Sequence, residues 1–117
     1  MSAYWVTKDV TFICSATAVL TVSTAPSTVL KIDNIPVYTG NIIVVVPSGA
    51  QQGGGTLINP VNITLTASSM YSTSEDKKIL ISTATGTGVG SFQVGDSTSS
   101  MTITLSIKSA GQTVVSE

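Results

Sequence analysis

The chain has 117 residues with a formal charge of -1; it is 42% hydrophobic, 5% aromatic and 9% charged. It has no histidine, no arginine and one cysteine, Cys14. The groups that titrate, attack or clamp anions near neutral pH are therefore nearly absent, which argues against an enzyme and against a bound cofactor or metal.

Serine and threonine fill 35 positions and are interleaved with Val, Ile and Leu. That mixture predicts a single all-β domain over residues 1–117, a compact sandwich or small barrel of about eight to ten mostly antiparallel strands. No stretch has the 3.6-residue apolar spacing of a helix. In chain order, Val6 to Ile13 carries Val6, Val10 and Phe12 on one parity and Thr7, Asp9 and Thr11 on the other. Ala18 to Ser23 and Thr28 to Asp33 are short β-branched runs separated by the turn signal Ala25-Pro26-Ser27. Ile35-Pro36-Val37-Tyr38 follows, its proline marking an edge or the start of a strand. The aliphatic run Ile42-Ile43-Val44-Val45-Val46 predicts a strand buried on both faces or at a subunit contact. Pro47 to Asn59, with Gly53-Gly54-Gly55, reads as a long loop.

The cleanest alternation is Val61 to Ala67, with Val61, Ile63, Leu65 and Ala67 on one side and Asn62, Thr64 and Thr66 on the other. Met101 to Ile107 repeats this design, so the two look like analogues. The expected core includes Val61, Ile63, Leu65, Met101, Ile103, Leu105 and Ile107. Between them lie a polar loop at Ser72 to Lys77, strands at Lys78 to Thr83 and Val89 to Val94, and breaks at Thr85 to Gly90 and Gly95 to Ser100. Gln112 to Val115 is the last expected strand.

Individual motifs carry little chemistry. Gly86-Thr87-Gly88-Val89-Gly90 lacks the spacing and the following helix of a phosphate loop and reads as a flexible connection. Serines are plentiful, but none has a histidine base to activate it. Glu75 and Asp76 adjoin Lys77 and Lys78, a self-neutralising turn, and Asp96 stands alone as a calcium ligand. Asn62-Ile63-Thr64 matches a glycosylation acceptor but falls inside a strand pattern. Cys14 reads as a small apolar residue. The five lysines are too dispersed for a nucleic-acid interface, so no nucleic acid is expected as a partner. The longest aliphatic run, Ile42 to Val46, is far too short for a membrane span. Val10 to Val22 is too interrupted by Thr and Ser for a signal peptide, and Lys8-Asp9 gives no positive leading region. The expectation is synthesis in the cytoplasm, followed by assembly into a virion or injection particle.

Three pieces carry a resemblance: Thr11-Phe12-Ile13-Cys14-Ser15, then Leu30-Lys31-Ile32-Asp33-Asn34-Ile35-Pro36-Val37, then Lys77-Lys78-Ile79-Leu80-Ile81. Their order resembles the PAAR-like spike-tip proteins of phage tails and contractile injection systems. The resemblance implies a compact β cone seated on a trimeric spike. It lacks the family's Pro-Ala-Ala-Arg signature and its His and Cys metal ligands, so no ligand role carries over.

The expected function is thus that of a structural subunit of a phage-like particle or contractile injection apparatus (spike tip, baseplate or decoration), acting by contact with other subunits or with copies of itself. The candidate contact surface is Tyr4, Trp5 and the run Ile42, Ile43, Val44, Val45, Val46. Two readings stand beside it. One is a secreted carbohydrate- or receptor-binding module, using Tyr4, Trp5, Tyr38 and Tyr71 for stacking. The other is a self-assembling fimbrial or pore-type β protein.

Overall fold

The computed structural model describes residues 4–67 and 78–112, and among these it contains ten strands and no helix. The expected loop at Ser72 to Lys77, with Glu75 and Asp76, lies outside the described residues, as do Tyr71 and the expected strand beyond Gln112. In chain order the strands are β1 (Thr11–Cys14), β2 (Thr21–Val22), β3 (Lys31–Ile32), β4 (Ile35–Pro36) and β5 (Ile42–Val46). They continue with β6 (Gln51–Gln52), β7 (Gly55–Leu57), β8 (Val61–Leu65), β9 (Thr85–Val94) and β10 (Ser97–Ser109). All pairings are antiparallel: one sheet has the order β1-β10-β9-β7-β6, a second β2-β5-β8, and β3-β4 is a separate ribbon. The five-stranded sheet curls until its ends meet. Thr17, just past β1, bridges Gln51 of β6, with Thr17 N–H donating to Gln51 O at 2.8 Å and Gln51 N–H returning the bond at 3.2 Å. The fold is all-β, two sheets closed over one aliphatic core.

Strand boundaries follow local chemistry. Asp33 and Asn34 both take positive φ, 52° and 66°, which is the geometry of the tight two-residue turn joining β3 to β4. Gly53 and Gly54 do the same between β6 and β7, at 55° and 79°. The expected loop over Pro47 to Asn59 is therefore corrected: it contains a β-hairpin, and the triple glycine supplies its turn rather than a mobile connection. The break expected at Gly95 to Ser100 shrinks to Gly95-Asp96, because β10 already begins at Ser97 opposite Val94.

The core is legible by parity. Ile42, Val44 and Val46 of β5, Ile63 and Leu65 of β8, and Ile103 and Leu105 of β10 are all buried, joined by Leu57, Leu80 and Phe92. Each such side chain contributes about 1.5–3 kcal/mol on leaving water. Val61, Met101 and Ile107 only pack partly buried against this cluster. The β5 run is not buried on both faces as expected. It alternates, with Ile43 38% exposed on the outer side, because β5 is the middle strand of a sheet that covers the core with one face.

The break expected at Thr85 to Gly90 is overturned. Gly86, Gly88 and Gly90 are strand residues of β9, paired with Leu105, Ile103 and Met101 of β10. They face inward, and β8 lays Val61, Ile63 and Leu65 onto their bare backbone. A Cβ on Gly86 would stand 2.7 Å from Thr64 O and 2.7 Å from the Ile63 side chain, and one on Gly88 2.8 Å from Val61. Glycine here lets two sheets approach more closely than side chains allow.

At one end of the barrel three chain segments meet in a ring. Trp5-Val6-Thr7, Val37-Tyr38-Thr39 and Ile79-Leu80-Ile81 pair with one another through the bridges Trp5 to Ile81, Thr7 to Val37 and Thr39 to Ile79. At the centre, Val6 N–H donates to Leu80 O at 2.9 Å, Leu80 N–H to Tyr38 O at 3.1 Å, and Tyr38 N–H to Val6 O at 2.9 Å. Each segment gives one bond to the next and takes one from the last, so the ring has pseudo-three-fold symmetry within a single chain. The middle residues Val6, Tyr38 and Leu80 are buried in the main core. Their neighbours Val37, Ile79 and Ile81 are also buried but stand apart from that core, as the alternation of strand side chains requires.

From each ring residue the chain leaves along a strand and then returns. Val10, Ile42 and Ala84 each follow a ring residue by four positions and lead into β1, β5 and β9. The returning strands are β2, β8 and β10. The two strongly alternating segments, now β8 and β10, thus occupy equivalent places in successive repeats.

Gly86→Ala is expected to destabilise the protein by about 1–3 kcal/mol, because the new methyl meets a backbone oxygen that cannot move aside. Thr87→Ala, on the exposed face of the same strand, should change stability by less than about 0.5 kcal/mol. Urea denaturation of the two variants measures both.

Candidate binding groove

The repeats differ in how their two strands meet. In the second, β5 pairs with β8 over five residues, and in the third, β9 pairs with β10 over ten. In the first, β1 and β2 belong to different sheets and share no ladder. Between them lies a groove of about 490 Å3, lined by Lys8, Val10, Thr11 and Phe12 on one wall and Ala18, Leu20 and Val22 on the other, with Tyr38 at its base.

Burial shows what the groove does to the core. Val10, Phe12 and Cys14 on one wall and Ala18, Leu20 and Val22 on the other have core-facing parity, yet all are only partly buried. On β5, β8 and β10, by contrast, Ile42, Val44, Val46, Ile63, Leu65, Ile103 and Leu105 are closed off from water. The core is open to solvent along this seam. Outside it, Ile13 is 56% and Val19 83% exposed, so each wall also presents an exposed aliphatic side chain.

The polar groups are few. Lys8 is exposed at the ring end of the groove. Tyr38 is 5% exposed, and its hydroxyl makes no hydrogen bond to any described residue. Burial raises its pKa above the ordinary 10.0, because the phenolate would lose its hydration. Such a phenol is a hydrogen-bond donor among the side chains that line the groove.

The structure separates the expected contact residues. Ile42, Val44 and Val46 are 0% exposed and engage the chain's own core. Ile43 and Val45 remain on the outer face of the sheet, beside Thr64 and Asn62 of β8. Tyr4 and Trp5 are half-buried in the first ring segment, where Ser82 N–H donates to Tyr4 O at 2.8 Å and Tyr4 N–H to Ser82 Oγ at 3.0 Å. The strand run and the aromatic pair therefore lie in different parts of the fold and do not form one patch. Asn62 lies on the exposed face of β8, and Asp96 sits in the β9–β10 turn. Cys14 is an unpaired thiol on β1. Among the described residues no three His, Cys, Asp or Glu side chains gather as metal ligands. No described helix is long and apolar enough to cross a membrane.

Sequence reasoning missed the groove. Its walls are two ordinary strand patterns, and a seam left unpaired leaves no mark on either. Tyr38 was legible as the end of a strand run and as a candidate stacking aromatic, not as part of a groove. No family model, curated protein or solved structure matches the chain.

Because the Tyr38 pKa is raised in the folded state, its contribution to stability is complete below the unfolded value of about 10 and is lost as pH rises toward the folded value. The denaturation midpoint should fall above pH 10, and Tyr38→Phe should make that fall smaller. Urea midpoints at pH 8 and pH 11 for both proteins test the sign.

Proposed function

We propose that the chain is a non-enzymatic structural subunit of a phage-like particle or contractile injection apparatus, a tip or baseplate part that works by protein–protein contact. The observation that supports this reading is the pseudo-three-fold ring. A single subunit placed on the axis of a trimer faces a symmetry mismatch, since its surface must meet three identical ones. A chain that repeats one backbone arrangement three times about an axis reduces the mismatch. Each partner subunit then meets a similar arrangement of strands. The half-buried Trp5 lies on this ring and Tyr4 directly precedes it; both are the proposed anchors, aromatic side chains being favoured at contact centres.

Composition agrees with this role. With 9% charged residues, little charge repulsion opposes close association of its faces.

The test is quantitative mass spectrometry of gradient-purified particles from the producing cell. The expected result is co-purification at one copy per three copies of a spike or hub subunit. Recovery only in the soluble fraction or the medium would overturn the proposal. Tyr4→Ser is expected to lower incorporation into particles while changing folding stability by no more than about 1 kcal/mol; equal loss of folding and incorporation would count against Tyr4 as an anchor.

A further inference from the structure

We infer that the seam between β1 and β2 is an acceptor site for an extended strand from a partner protein, apolar at alternating positions and acidic at the end that reaches Lys8. The inference is independent of the three-fold axis and would hold in any assembly.

Backbone geometry supplies the first argument. Ser15 N–H donates to Thr104 O at 3.0 Å, so Ser15 faces β10 and the neighbouring Cys14, like Phe12, turns its amide the other way. On the opposite wall Ser23 N–H donates to Ile43 O at 2.9 Å, which turns Val22 and Leu20 away from β5. Both walls therefore point unpaired ladder groups into the groove. An inserted strand satisfies both at once, antiparallel to one wall and parallel to the other. Strand addition of this kind derives affinity from main-chain bonds and selectivity from alternate side chains.

Side chains supply the second. An occupant's inward residues would cover Val10, Phe12, Leu20 and Val22, the core-facing side chains that the protein itself leaves partly wet. Its outward residues would lie between Ile13 and Val19, the aliphatic pair exposed on the two rims. A small aliphatic ligand accounts for the inner surface but leaves the rims and both rows of amides unused. The Tyr38 hydroxyl, which makes no hydrogen bond to a described residue and keeps contact with solvent, donates to a carbonyl of the occupant. Lys8 sets the charge of the nearer end.

The repeats supply the third. The equivalent seams are zipped by direct pairing in the second and third repeats. Only the first is held open, and the bridge from Thr17 to Gln51 ties the far end of its wall to a different strand.

The test uses the full chain and two acetylated, amidated hexapeptides, Val-Thr-Val-Thr-Val-Asp and its reverse, since either strand direction is allowed. One of them is expected to bind saturably in the micromolar range. Binding should slow hydrogen exchange at the amides of Phe12, Cys14, Leu20 and Val22 by at least about tenfold. Lys8→Glu, at an exposed position that leaves the fold intact, should weaken that peptide by about tenfold but not its Asp→Asn counterpart. Three results would overturn the inference. Those four amides could already exchange slowly in the unliganded protein, showing that the seam zips by itself. Neither peptide could bind at millimolar concentration. Decanoate could protect the groove where the peptides do not, marking it as a small-molecule site.

Discussion

Three backbone hydrogen bonds, Val6 to Leu80, Leu80 to Tyr38 and Tyr38 to Val6, organise everything else in this molecule. A ring of this kind uses amides that would otherwise be stranded at the end of a barrel, where burial without a partner costs about 1–3 kcal/mol per group. It also sets the directions in which three strands depart. Once Val10, Ile42 and Ala84 leave the ring, β1, β5 and β9 rise around a common core. The returning strands close on the departing ones: β10 on β1, and β2 on β5. The remaining corner, between β8 and β9, is closed by glycine instead of hydrogen bonds.

Two corners of the barrel thus solve the same problem differently. At β8 and β9, three inward glycines remove the side chains that would keep the sheets apart, and Val61, Ile63 and Leu65 fill the space. At β1 and β2, Phe12, Leu20 and Val22 keep their bulk, and the walls stay separate. One corner is closed by packing; the other leaves the core partly open to water.

The sequence is most informative where alternation is strict. β8 and β10 are readable from Val61-Asn62-Ile63-Thr64-Leu65 and Met101-Thr102-Ile103-Thr104-Leu105, and β5 is readable to the residue. The same reasoning fails at Gly86 to Gly90, because glycine signals a turn by its own propensity, while its use here depends on β8, two dozen residues earlier. It fails at the ring too. Segments of three residues are too short for a period of two to register, and their partners lie far away in sequence. The groove is still less legible, since what defines it is a pairing not made. Single-chain patterns report what a residue prefers; closeness between distant segments decides these three cases.

The ring also dictates when this protein can close. Its three members, centred on Val6, Tyr38 and Leu80, are spread over the first 81 residues, so a nascent polypeptide ending before Ser82 has no complete ring to fold around. Until then β1 lacks its partner β10, and the aliphatic face of the β2-β5-β8 sheet has no second sheet to cover it. Non-local closure of this sort is slow compared with helical folding and keeps sticky intermediates in solution longer. A sparsely charged surface gives those intermediates little protection from one another. For this fold the hazard of aggregation belongs to the time before the third segment arrives, and prompt delivery of Leu80 to Val6 and Tyr38 is what ends it.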